Sequence, residues 1–147
     1  MNIQIRFADE RELAWLLAEN DYLPDGMVEQ KIAHNEYIVA VQDEMIVGYL
    51  RFSYFWSFIP YIDIIYVQEE LRCQGIGRKM LTVLEGVARE QGQSFILSSS
   101  QSDEAEPQAW HRHVGFRDAG ALVELRPLQD VTELIFVKHI NLGKAEY

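Results

Sequence analysis

Ile3, Ile5 and Phe7 alternate with polar neighbours, the period-two pattern of a strand with one buried face. Asp9 and Glu12, three residues apart, form a capping-box pair ahead of Leu13, Leu16 and Leu17, which predicts a helix start. Pro24-Asp25-Gly26 marks a turn before a weaker helical stretch, about Met27 to His34. Glu36 to Gln42 and Met45 to Trp56 read as two strands joined at Asp43-Glu44, an antiparallel hairpin. Pro60 is expected to break the apolar run before another strand, Tyr61 to Val67.

The strongest helical pattern follows. Ile76, Met80, Leu84, Val87 and Ala88 make one apolar stripe, Arg78, Lys79, Thr82, Glu85 and Arg89 fall opposite, and Gly92 supplies a stop. Ser94 to Ser98 reads as a short buried strand, and about Glu106 to His113 as a short helix closed by Gly115. Strands around Phe116 to Leu125 and Val131 to His139 complete the chain. The order is strand, two helices, three strands, helix, strand, helix, two strands: a mixed α/β sheet. No linker or repeat interrupts residues 1–147, which are expected to form one domain.

Composition narrows the partners. The net charge of −10 argues against nucleic acid, whose binding needs basic side chains, and against anionic membrane surfaces. The most apolar window, Phe52 to Ile62, is interrupted by serines and a proline and falls short of the ~20 residues a membrane helix needs. The first residues, Met1 to Arg6, lack the apolar stretch of a secretory signal, and the single Cys73 forms no internal disulfide. A reducing, cytoplasmic location is expected.

Chemistry concentrates where a buried strand, Ile64-Ile65-Tyr66-Val67, runs through a glycine-rich turn into the strong helix. The turn is Arg72-Cys73-Gln74-Gly75-Ile76-Gly77-Arg78. Glycines let main chain approach a ligand, and free amides of a first helical turn attract anions. Arg72, Arg78 and Lys79 put three cations here in an otherwise acidic chain. A Walker A loop is absent, and the dinucleotide fingerprint G-x-G-x-x-G fails at its third glycine, where Met80 stands.

The sequence Arg72-x-x-Gly75-x-Gly77 after this strand resembles motif A of the GNAT superfamily of N-acyltransferases. Gln108 to Phe116, with Trp110-His111 and Gly115-Phe116, is similar to the family's motif B. The resemblance implies the GNAT fold, a mixed and mostly antiparallel central sheet flanked by helices. It also implies acetyl-CoA as acyl donor, its pyrophosphate on the amides of Arg72 to Arg78 and its pantetheine arm paired with the main chain of Ile65 to Val67. The arm enters a wedge between this strand and the next, Ser94 to Ser98. Side-chain identity matters little for such contacts, so Cys73, Gln74, Ile76 and Tyr66 contribute main chain, and Cys73 is a bystander thiol.

Acetyl transfer to an amine needs a base for the amine proton, a donor for the oxyanion and an acid for the leaving thiolate. A main-chain amide near Val67 is the oxyanion candidate. Where the family often has a motif B tyrosine as acid, this chain has His111, so His111 is the catalytic candidate and the departure leaves its role open. Asp63, alone among apolar residues and on the strand face of Tyr61, Ile65 and Val67, is the candidate base. His111 and His113 are two apart and point to different helix faces, so no metal site is expected. Ser98, Ser99 and Ser100 read as a loop start whose hydroxyls hold a water at best.

Phe52, Tyr54, Trp56 and Phe58 are expected to share one strand face, as core and homodimer surface or as an aromatic wall gripping a cationic amine. The expected activity is acetyl transfer from acetyl-CoA to a primary amine, a small cationic metabolite or drug-like compound. Two rivals stay open: a catalytically silent acyl-CoA-binding sensor or interaction domain, and a nucleotide-binding α/β protein.

Overall fold

The computed structural model describes residues 2–20 and 22–141. Strands β1 (Ile3–Phe7), β2 (Tyr37–Gln42), β3 (Met45–Phe55), β4 (Ile59–Val67), β5 (Phe95–Gln101), β6 (Arg117–Leu122) and β7 (Glu133–His139) alternate with helices α1 (Leu13–Glu19), α2 (Asp25–Ala33), α3 (Ile76–Glu90) and α4 (Ala105–His113). The seven strands form a sheet in the order β1-β2-β3-β4-β5-β7-β6. The β1/β2, β2/β3, β5/β7 and β6/β7 pairs are antiparallel, and β4/β5 is parallel. The fold is therefore α/β with a mostly antiparallel sheet, in the element order that the periodicity predicts. None of the described helices is long and apolar enough to cross a membrane.

Three boundaries differ from expectation. The turn after β3 falls at Trp56 and Ser57, both at positive φ, so β4 resumes at Ile59 and holds Pro60 within it. A proline is tolerated near the start of a strand, where its missing N–H costs no central ladder bond. That turn also dissolves the expected aromatic wall. Phe52 is buried, whereas Trp56 is 73% exposed and Phe58 51% exposed. Finally, β5 runs on to Gln101, so the three serines belong to a strand; its ladder with β7 extends from Phe95↔His139 to Gln101↔Glu133.

The chain divides into two compact units, Met1–Ser53 with Ile64–Leu84, and Tyr54–Asp63 with Glu85–Tyr147. In the first, the Asp9 and Glu12 capping box forms and opens a short 3-10 turn leading into α1. The Glu12 carboxylate accepts from the Asp9 N–H at 2.9 Å and pairs with Arg6 at 2.8 Å. The apolar faces of α1 and α2 put Leu16, Val28 and Ile32 against Tyr37, Val39, Val41 and Tyr49. Ile64 and Tyr66 of β4 pack on this cluster, with the Tyr49 and Tyr66 rings 5.9 Å apart. Each fully buried side chain of this kind contributes about 1.5–3 kcal/mol.

In the second unit, alternation splits β5 into two faces. Ile96, Ser98 and Ser100 are buried, as is Phe136 of β7, against which His111 of α4 stacks. Glu85 and Lys138 form an ion pair at 2.8 Å. The alternate residues Leu97, Ser99 and Gln101, with their β7 partners Val137, Ile135 and Glu133, stay half-buried.

Candidate active site

The turn between β4 and α3 is open. Arg72, Cys73, Gln74 and Gly75 are exposed, and Ile76 anchors the helix start as a buried side chain. Cys73 sits at φ 62° and Gly75 at φ 84°, which turns the main chain sharply before the helix. Gly75 takes that conformation without a Cβ penalty; Cys73 bears one of about 1–2 kcal/mol. The Lys79 N–H donates to the Gly75 carbonyl at 3.0 Å. The amides of Ile76, Gly77 and Arg78 thus precede the first intrahelical bond and point off the helix end. With exposed Arg72, Arg78 and Lys79 around them, they fit a diphosphate.

The strand leading into this turn is held close to β3. A Cβ added to Gly48 would lie 2.8 Å from the Tyr66 carbonyl oxygen, so glycine lets the two main chains approach. The Val67 carbonyl accepts from Arg72 Nε at 2.8 Å, which ties the first cation of the turn to the end of β4. Ile65 and Val67 are half-buried, and Tyr66 turns its ring into the first unit's core. Of the two carbonyls expected to meet a pantetheine arm, that of Val67 is therefore already shared with Arg72.

Asp63 lies half-buried on β4. Two residues before it, the Tyr61 phenol donates to Ser99 Oγ at 2.7 Å. Burial raises the phenol's pKa above its ordinary value; the Ser99 hydrogen bond opposes this, and the charges of Glu133 and Asp63 add to it. Both carboxylates therefore act electrostatically on one hydroxyl. Glu133 Oε1 accepts from Gln129 at 3.0 Å, which fixes that carboxylate at the start of β7.

His111 is buried, on the opposite face of β5 from Ser99. Its Nε2 lies 2.7 Å from Ser98 Oγ and its Nδ1 2.7 Å from the Pro107 carbonyl. A carbonyl only accepts, so Nδ1 carries the proton and Nε2 accepts from the Ser98 hydroxyl. The ring stacks on Phe136 at 4.7 Å and meets Phe116 edge-on at 5.2 Å. Burial lowers its pKa and favours the neutral ring, while the Pro107 bond opposes the shift. An acid role for His111 needs one of these two bonds to open.

The Tyr61 hydroxyl thus meets Ser99, with Asp63 on the same face of β4 and Glu133, the β7 partner of Gln101, on the face of Ser99, whereas His111 and Ser98 lie on the opposite face of β5. The sequence marked Asp63 as a candidate base and Ser99 only as one of three serines whose hydroxyls could hold a water. Tyr61 shares its strand parity, a usable signal, but Glu133 and Ser99 join only through the β5/β7 ladder and the β4/β5 register Tyr61↔Leu97.

Comparison with known proteins agrees with this fold. No curated protein matches the chain by sequence. Among solved structures, Ard1 from Thermoplasma volcanium superposes with a TM-score of 0.80 at 14% identity, over 96% of this chain and 99% of that one. The structure of yncA from Salmonella typhimurium, solved with its cofactor acetyl-CoA, gives 0.75 at 20% identity over 100% and 99%. The ribosomal-protein-alanine N-acetyltransferase from Brucella melitensis gives 0.75 at 25% identity over 93% and 99%. The model of the acetyltransferase (GNAT) family matches residues 5–116, which run from β1 to just past α4 and include the glycine-rich turn between β4 and α3. The chain belongs to the acetyltransferase (GNAT) family and is an acyltransferase that uses acetyl-CoA.

Proposed function

We propose that the protein transfers acetyl from acetyl-CoA to a positively charged primary amine, a small cationic metabolite or drug-like compound. The observation that supports this reading is a strand register that puts Asp63 on the β4 face of Tyr61 and Glu133, the β7 partner of Gln101, on the face of Ser99, to which the Tyr61 hydroxyl donates. An ammonium group is attracted to such a cluster, and the chain's net charge of −10 favours its approach. The ammonium form must also lose a proton before its nitrogen can attack, and Asp63 is the acidic residue of β4.

In this reading the amides of Ile76, Gly77 and Arg78, with Arg72, Cys73, Gln74 and Gly75 shaping the turn, hold the diphosphate. The main chain of Ile65, Tyr66 and Val67 receives the pantetheine arm as an added strand. Acetyl-CoA supplies an activated acetyl thioester. Asp63 takes the amine proton, and the Val67 amide stabilises the developing oxyanion. His111 acts through Ser98, holding α4 and β5 in register rather than touching the reacting atoms. The exposed Cys73 contributes main chain only and fits a reducing cytoplasm.

The test is a panel of cationic, neutral and peptide amines with acetyl-CoA, read by thiol release. Turnover is expected with compact cationic amines and is expected to fall on Asp63→Asn or Glu133→Gln substitution. Tight coenzyme A binding with no thiol release from any amine would make the protein a binding module instead.

A further inference from the structure

We propose that the turn joining β3 to β4 is the contact through which two copies of this chain form a symmetric dimer, the Trp56 indole of each copy seated in a hollow of the other. The contact is independent of the acetyl-transfer reading above. Phe55 to Phe58 make a two-residue hairpin turn, closed by the Phe58 N–H donating to the Phe55 carbonyl at 3.2 Å. Its central residues, Trp56 and Ser57, sit at φ 54° and 72°, a left-handed conformation that such turns normally give to Asn and Gly. A tryptophan held there gains no burial inside its own chain: Trp56 is 73% exposed, with Phe58 at 51% and Phe55 at 41%. The Phe55 ring lies 4.8 Å from the indole, so the two form one aromatic ridge.

The ridge is large enough to matter. At about 150–250 Å² per aromatic side chain, these exposures leave roughly 250–400 Å² of ring surface in water. A stable interface covers about 800 Å² per partner, a little over half of it apolar, so the ridge supplies more than half of that apolar part. A hollow adjoins it. Tyr54, Ser57, Phe58, Gln91 and Gln93 line a cavity of about 330 Å³, at the small end for a ligand site and suited to one ring. The Gln91 amide donates to the Tyr54 hydroxyl at 2.9 Å, which fixes one side of the rim. Ridge and hollow share Phe58, so a two-fold axis beside the turn lets each copy give its indole and receive the other's. Charge selects this occupant. Residues 52–62 contain no charged side chain in a chain of net charge −10, so the face has nothing to hold a cationic peptide and the chain is repelled by an anionic membrane. A second copy presents the same neutral aromatic face with its rim of amides and hydroxyls.

Sedimentation of the full chain from about 1 to 100 μM, where interfaces of this size begin to hold, tests the contact. The wild type is expected to pass from 17.1 kDa to twice that mass. Because each copy carries the same negative charge, association should tighten as salt rises. Trp56→Ala should weaken it about 30-fold or more, the size of an interface hot spot. Gln91→Glu places like charges on both rims and should weaken it about tenfold at low salt, with recovery at high salt. Tyr22→Ala removes an aromatic that is 74% exposed on the first unit and should change nothing. Circular dichroism should show all three variants folded, since none of these side chains belongs to the core. A wild type that stays at 17.1 kDa throughout overturns the proposal, and flotation of that monomer with phosphatidylcholine vesicles, lost in Trp56→Ala, would make the ridge a lipid contact instead. A dimer that neither Trp56→Ala nor Gln91→Glu weakens has its interface elsewhere and overturns it equally.

Discussion

Replacing His111 with alanine removes a buried polar side chain of the second unit. Two 2.7 Å hydrogen bonds disappear, leaving the Ser98 hydroxyl and the Pro107 carbonyl to find new partners. The stacked contact with Phe136 at 4.7 Å is lost as well. At about 1 kcal/mol net per hydrogen bond, and about 1–3 kcal/mol for the cavity and aromatic contact, the loss sums to roughly 3–5 kcal/mol. For a chain of this length, that lowers the melting temperature by roughly 10 °C. The pH dependence sharpens the test. Burial holds His111 neutral in the folded protein, whereas the unfolded chain takes up that proton near pH 6.5. Below that value the unfolded state binds the extra proton, so the wild type loses stability as pH falls, at up to about 1.4 kcal/mol per pH unit, until the folded ring also titrates. The alanine variant lacks this slope, and the other histidines are common to both proteins. Urea denaturation followed by circular dichroism at pH 8, 6.5 and 5.5 should therefore show the variant's deficit shrinking on acidification. A deficit that is constant or grows would refute a buried, neutral His111.

Other substitutions probe the cofactor strand and turn. Gly48→Ala drives a methyl to within 2.8 Å of the Tyr66 carbonyl and should cost about 1–3 kcal/mol, with weaker coenzyme A binding by calorimetry as β4 shifts. Gly75→Ala meets no neighbouring atom, so its cost is the φ of 84° alone, about 1–2 kcal/mol; coenzyme A affinity should drop more than thermal stability. Asp63→Asn should keep coenzyme A affinity and lower kcat, with the loss partly recovered at high pH, where free amine becomes abundant. A pH-independent loss would remove Asp63 as base.

How much of this was legible beforehand depended on range along the chain. The Asp9 and Glu12 cap, the Asp43-Glu44 hairpin turn and the α3 stripe are local patterns, decided within a few residues, and they appear in the structure as read. Pro60 misled because a proline alone does not reveal whether a turn has already been made; Trp56 and Ser57 had made it. The serines of β5 looked like a loop because nothing local shows that seven residues of β7 lie alongside them. The same blindness hid the Tyr61 cluster. Asp63 stood out as a lone carboxylate in apolar sequence, whereas the Tyr61–Ser99 hydrogen bond joins residues 38 apart and exists only through strand pairing.

The division of labour within β4 follows from its pleat. One parity, Ile64 and Tyr66, is committed to the first unit's apolar cluster, so those side chains are not available for chemistry. The other parity, Tyr61, Asp63, Ile65 and Val67, is half-buried throughout. Half-burial leaves this face of the strand within reach of solvent. A one-residue slip of β4 would exchange the two parities and put the carboxylate into the cluster now occupied by Ile64 and Tyr66. Gly48 is the check on that slip, because its missing side chain admits the Tyr66 carbonyl at one register position. The close approach of β4 to β3 is thus secured by a residue that acts through the side chain it lacks.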